Sequence, residues 1–249
     1  VTAPAPMRIA RNLVADLRTL LLWWLGVVAL VAAALWTAAG LVDLGEFDGS
    51  VWEPIAVSLR YAPLVAGILM AGVQLPLHVL HGVARGRFFT GAALAGLAVC
   101  AGVTVFVVLG FAAEHLVYGA QGRPHVLDQP FPLSAYQRPD DYPAIAAVTL
   151  AAFAAHYVSG WLIGLGYLRF GPLRATLFIA PAALPMVVTE SSAASGWLGI
   201  GVNVALADGR PLLPGGLLTC AAVIAAGTAA VWLLNRDAPI RTANLAWWR

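Results

Sequence analysis

Few side chains in this sequence can do chemistry, and most of them are arginine, histidine or glutamate set inside or beside long apolar runs. His78 and His81 stand three residues apart, which puts both imidazoles on one helical face, where they could hold one edge of a metal site. Structural zinc needs four ligands, and neither Cys nor a carboxylate lies near them in sequence. They therefore read as two histidines at a helix end near a membrane surface, and no metal is expected. Tyr157-Val158-Ser159-Gly160 is the nearest approach to a membrane serine nucleophile, but Tyr stands where a sharp nucleophile turn wants Gly. Ser159 reads instead as a hydroxyl for helix packing. An H-E-x-x-H pair is absent. All fourteen basic residues are arginine, so the phosphate-reaching lysine of a P-loop and the amine of a Schiff-base enzyme are both missing. Catalytic, cofactor-binding and metal-ligating residues are all expected to be none in this chain.

Arg60, Glu190 and the Glu114-His115 pair fall within or at the ends of apolar runs, where a charge is costly unless water or a partner meets it. An outer polar cluster of Arg60, Glu114 and Glu190 is expected, with Arg60 pairing with one of the two glutamates to stabilise a gate or line an exit. Simple snorkelling of these side chains to the interface is the alternative. The stretch His78 to Gly91 holds two arginines, two histidines and the Phe88-Phe89 pair between two apolar runs. Exposed aromatics in such a loop need lipid or a partner to cover them, and a partner protein is expected. Cys100 and Cys220 lie in separate apolar runs and read as small core residues without a disulfide.

These residues must be positioned by membrane-spanning helices. The chain is 61% apolar and 10% charged, far from the roughly 25% charged of soluble domains. Its apolar runs reach the roughly 20 residues needed to cross hydrocarbon as helix. The alternating segments of about 10 residues that build a membrane barrel are absent. The fold class expected is an all-α integral membrane protein of six transmembrane helices. An N-terminal amphipathic interfacial helix and a re-entrant or outer hairpin between spans five and six complete it. Residues 1–6 are expected to be disordered, 7–234 to form a single transmembrane domain, and 235–249 a cytoplasmic tail. The spans are placed at about 20–42, 54–80, 92–118, 144–168, 173–189 and 212–234.

From Met7 to Thr19 the apolar positions Ile9, Ala10, Leu13, Val14 and Leu17 recur at helical spacing opposite Arg8, Arg11, Asn12 and Arg18. That pattern suits a helix in the headgroup plane, or equally a helical start to span one. Asp43, Glu46, Asp48 and Glu53 make an acidic loop, and Gly119 to Pro143 is a long Pro-rich connection. Gly160 and Gly164 have the small-xxx-small spacing of close helix packing. Ala193 to Pro214 is too apolar for a solvated loop and too broken for a span, which suggests the hairpin. Six spans put both termini on one side, and ten arginines (8, 11, 18, 85, 87, 169, 174, 236, 241, 249) fall there against three (123, 138, 210) opposite. By the positive-inside rule the termini are cytoplasmic, and a basic set made wholly of arginine fits a high-GC bacterial genome, so a bacterial cytoplasmic membrane is expected. The net charge of +2 is scattered at span ends and gives no reason to expect nucleic acid.

With that topology the chain resembles the six-span, exporter-type permease subunits of ATP-binding-cassette transporters of actinobacterial type. The stretches that carry the resemblance are the amphipathic Met7 to Thr19, Gly82-Val83-Ala84-Arg85-Gly86-Arg87-Phe88-Phe89 between spans two and three, and Tyr167-Leu168-Arg169-Phe170-Gly171-Pro172 after span four. The short, proline-broken fifth span followed by an apolar hairpin is similar too. The resemblance implies a permease that uses ATP and Mg on a separate cytoplasmic ATPase chain, with no cofactor of its own. It also implies a second permease copy as a homodimer partner in the lipid bilayer. Arg85, Arg87, Phe88 and Phe89 become the expected ATPase-coupling interface, the aromatics acting as anchors rimmed by charge. The long outer loop Gly119 to Pro143 departs from some relatives. A secondary transporter, which needs an ionisable residue near the midplane such as His156, and a non-transporting membrane scaffold remain as alternatives.

Overall fold

The computed structural model describes residues 5–41, 49–122, 125–127, 136, 138–192 and 213–239, with backbone alone at 39–41 and 213–215. Asp43, Glu46 and Asp48, residues 1–4, much of the Pro-rich connection, 193–212 of the expected hairpin and the tail beyond 239 lie outside the described residues. Among the described residues the chain is helical apart from a lone bridge between Gly49 and Val126. The helices are α1 (Ala5–Leu41), α2 (Trp52–Ser58), α3 (Tyr61–Leu69), α4 (Leu75–Leu80), α5 (Arg85–Ala120), α6 (Tyr142–Phe170), α7 (Pro172–Ala182), α8 (Leu184–Ser192) and α9 (Leu213–Arg236).

Among the described residues six stretches are long and apolar enough to cross a membrane: Ala5–Ala38, Trp52–Leu80, Arg85–Ala120, Tyr142–Phe170, Pro172–Ser192 and Gly216–Arg236. Several overshoot the expected spans, because helical hydrogen bonding does not stop where hydrocarbon would. At about 1.5 Å per residue, the 36 residues of α5 measure about 54 Å against a core of about 30 Å.

Proline explains where the spans break. Pro63 has no N–H for the Leu59 carbonyl, which instead accepts from Ala62 N–H at 3.3 Å, and the helical ladder is interrupted at Leu59-Arg60 between α2 and α3. A π-helical turn, Met70–Gln74, absorbs the same difficulty ahead of Pro76 and joins α3 to α4. Span five divides at Ala183, between Pro181 and Pro185. The first turn of α8 has N–H groups with no helical acceptor, and Met186 N–H is satisfied by Ser159 Oγ at 3.2 Å. Ser159 is thus a packing hydroxyl, buried on α6.

α6 is the axis of the bundle, packing against α3, α5, α7, α8 and α9. Two-thirds (67%) of its most apolar window is buried, against 6% for α1, which lies at the periphery. The α3–α6 crossing depends on glycine. A Cβ on Gly160 would stand 2.0 Å from Leu64 O, one on Gly67 2.2 Å from Tyr157 O, and one on Gly164 2.7 Å from Ala71 Cβ. Tyr157 ties α6 to α5 by donating its hydroxyl to Ala92 O at 2.8 Å, its ring lying over Gly96.

Of the two readings of Met7 to Thr19, the structure has the helical start to span one: both belong to the uninterrupted helix α1. Its apolar residues Ala10 and Leu13 are buried, and Ile9 packs against Gly91 of α5, so protein covers that face. One sequence expectation is corrected here: His78 to Gly91 is not a loop. Only the turn His81 to Ala84, with Gly82 at φ +80°, links α4 to α5, and Arg85 already begins the helix.

Candidate functional site

One cluster of buried charge among the described residues lies where α3, α6 and α8 meet. Arg60 stands at the start of α3, and its Nη1 donates to Glu190 Oε2 of α8 at 2.5 Å. The two side chains are 10% and 2% exposed, so this is an interior pair, not a snorkelling one. Glu190 Oε1 faces His156 Nδ1 at 4.0 Å, beyond hydrogen-bond reach. His156 Nδ1 instead lies 2.8 Å from Ala152 O, and since a carbonyl can only accept, that nitrogen carries the proton. His156 is at the midpoint of α6 and almost fully buried. Cys220 of α9 donates its thiol to Thr189 O, beside Glu190, at 3.9 Å. Half-buried Tyr136 adds a phenol. Its pKa is pushed up to about 12, chiefly by burial and then by the Glu53 charge, so it stays neutral beside the pair.

Glu114 does not join this cluster. It sits fully buried in a second network at the same end of α5 as His115. Its Oε1 accepts from Trp36 Nε1 at 3.0 Å and from Trp52 backbone N–H at 2.8 Å. Its Oε2 accepts from Ser50 Oγ at 2.5 Å and meets His125 Nε2 at 2.9 Å. A carboxylate meeting four donors holds α1, the start of α2 and the segment around His125 onto α5. Trp52 completes the seam, donating its indole N–H to Val107 O at 2.9 Å with its ring against Gly110.

At the opposite end of α5 lie the residues expected to meet an ATPase. Phe88 is fully buried, its ring 5.2 Å from His78, and Phe89 is half-buried between Trp161 and Trp232 at 5.5 and 5.0 Å. The expectation of an exposed aromatic pair is therefore corrected: both rings face the bundle because they lie on the inward side of α5's first turn. Arg85 donates to the carbonyls of Arg236 and Ala238, both at 2.9 Å, and Asn235 Nδ2 donates back to Arg85 O at 3.3 Å. Arg169 reaches Leu234 O at 3.4 Å. The start of α5 and the ends of α6 and α9 thus form one basic face, from which Arg87 projects into the open. His78 and His81 each turn Nδ1 back onto a carbonyl of their own helix, Gln74 O at 2.9 Å and Leu77 O at 2.6 Å, so the two rings do not converge on a metal.

An apolar cavity of about 250 Å³ opens between α1 and α3, lined by Leu17, Leu21, Trp24, Tyr61 and Val65. Sequence reasoning missed Ser50, Trp36 and His125 as partners of Glu114, and it missed the approach of His156 to Glu190. No short-range signal marks either, since the partners are 11 to 130 residues apart in the two networks. No protein-family model, curated protein or solved structure matches this chain.

Proposed function

We propose that this chain is the permease subunit of an ATP-binding-cassette transporter, an exporter working in a bacterial cytoplasmic membrane with both termini in the cytoplasm. The observation that carries this reading is the basic face at the Arg85 end. Three chain segments meet there, pinned by Arg85 and Arg169 to the last carbonyls of α9, with Arg87 exposed. A rigid platform at the ends of several spans suits a protein that must receive motion from outside, because force applied there moves whole helices. The sequence lacks a lysine for a Walker-type site, so nucleotide chemistry belongs to a separate ATPase chain. Arg85 acts in this reading as a strut of the platform and Arg87 as the contact, while Phe88 and Phe89 hold α5 against α4, α6 and α9. A second permease copy completes the pathway, and the apolar groove between α1 and α3 favours amphipathic or lipid-like substrates. The basic face of α1 lies at the headgroups.

The test is a photo-crosslinker placed at Arg87 in cells. The expected product is a covalent adduct with an ATPase subunit, and adducts with lipid alone would overturn the placement. A secondary transporter is the second reading, favoured by Arg60, Glu190 and His156 at membrane depth, where ion-coupling groups belong. Collapse of the proton gradient would stop transport in that case, whereas vanadate would not.

A further inference from the structure

We propose that His115 and His125 form a binding site for a borderline divalent cation, Zn2+ or a neighbour such as Ni2+ or Cu2+, at the Glu114 end of the bundle. The orientation of His125 is the first step. Glu114 already accepts from Trp36, Trp52 and Ser50. His125 turns Nε2 onto Glu114 Oε2 at 2.9 Å, which directs its other ring nitrogen, Nδ1, away from the carboxyl. That nitrogen faces His115 Nδ1 at 3.2 Å.

The distance fits a shared metal. Two imidazole nitrogens, each about 2.0–2.1 Å from one tetrahedral zinc, stand about 3.3 Å apart. A single N–H···N hydrogen bond has a similar length, so the carboxylate behind His125 is what favours the metal. Metal-ligating histidines commonly donate their second N–H to a carboxylate, which fixes the ring and makes the ligating nitrogen more basic. Glu114 fills that positioning role from a fully buried site on α5.

Access and ligand chemistry agree with this. His115 is exposed and reachable from the surface, while His125 is 4% exposed and held in place, its ring edge-on to Tyr118 at 5.3 Å. Among the described residues no third His, Cys, Asp or Glu joins them as a ligand. Water fills the remaining positions, and imidazole donors select Zn2+, Ni2+ or Cu2+ over the oxygen-seeking Mg2+ and Ca2+. Asp140 is nearby but committed: bidentate hydrogen bonds from Arg138 hold its carboxyl below the usual carboxylate range, and His115 adds a small contribution. A cation here would staple α5 to the segment around His125.

The experiment uses the full chain in nanodiscs, without a polyhistidine tag and stripped of metal, titrated with Zn2+ against a fluorescent chelator. The expected result is one Zn2+ per chain, not displaced by millimolar Mg2+, with Co2+ giving the visible absorption of a low-coordinate site. His115→Ala removes an exposed side chain outside the core, so the fold survives. It should weaken Zn2+ binding by at least the roughly 10- to 100-fold that loss of an outer-shell partner costs. Glu114→Gln should weaken it by that 10- to 100-fold, and the His78→Ala, His81→Ala double variant should leave it unchanged. Absence of Zn2+ binding in the parent chain, or parental affinity in His115→Ala, would overturn the site. Parental affinity in Glu114→Gln would remove the positioning role of Glu114.

Discussion

Glu190→Gln converts the Arg60 partner into a neutral amide of nearly the same shape, and the structure sets the size of the penalty. The pair is 2.5 Å apart with side chains 10% and 2% exposed, so bulk water cannot take over the lost contact. Two unit charges at that distance attract by about 7 kcal/mol at an effective dielectric of about 20. Most of that gross attraction offsets the cost of removing both ions from water. The net loss on removing one member of a buried pair is about 3–5 kcal/mol, against about 0–1 kcal/mol for an exposed pair. Glu190→Gln and Arg60→Gln should therefore each destabilise the fold by about 3 kcal/mol or more. The charge reversal, Arg60→Glu with Glu190→Arg, restores the attraction in swapped order and should recover about 1–3 kcal/mol relative to the sum of its two singles. Reversible unfolding in mixed SDS micelles, followed by the fluorescence of the nine tryptophans, gives these numbers directly. A Glu190→Gln penalty within about 0.5 kcal/mol of zero, the range of ordinary surface changes, would refute the reasoning. So would a double reversal no more stable than the poorer single variant.

Gly160→Ala should misfold or lose several kcal/mol in the same unfolding assay, since its Cβ would stand 2.0 Å from Leu64 O, while Gly26→Ala, with nothing within 4 Å, should be neutral. Phe88→Ala should cost about 3–5 kcal/mol of stability, as expected of a fully buried ring. Arg87→Glu should instead keep parental stability and lose ATPase co-purification, and the reverse pattern would return Phe88 to the docking surface. Arg85→Ala should speed amide exchange across Asn235 to Ala238, because the carbonyls it holds, of Arg236 and Ala238, lie at and just beyond the end of α9; unchanged exchange would mean the tie contributes nothing.

The six spans are legible in the sequence because apolar length alone decides them, and the break of span five is legible at Pro181 and Pro185 because a missing N–H acts locally. The Gly160 and Gly164 spacing likewise announces close packing, though not that α3 is the partner. What sequence hides is rotation and depth. Phe88 looks like a loop residue until α5 is seen to begin at Arg85, which turns that ring inward. The amphipathic face of Met7 to Thr19 has the same periodicity whether lipid or α5 covers it, and only tertiary structure decides. Arg60 could be expected to find a carboxylate because an unpaired charge is intolerable there. The choice of Glu190 over Glu114 goes with four other donors having already claimed Glu114.

The most direct test of the proposed function is to isolate the chain from its native membrane in mild detergent and measure vanadate-sensitive ATP hydrolysis in the complex. The permease reading predicts a stoichiometric ATPase subunit whose hydrolysis vanadate arrests and whose association Arg87→Glu disrupts. A complex without any ATPase chain, whose transport continues unchanged in vanadate, would contradict it.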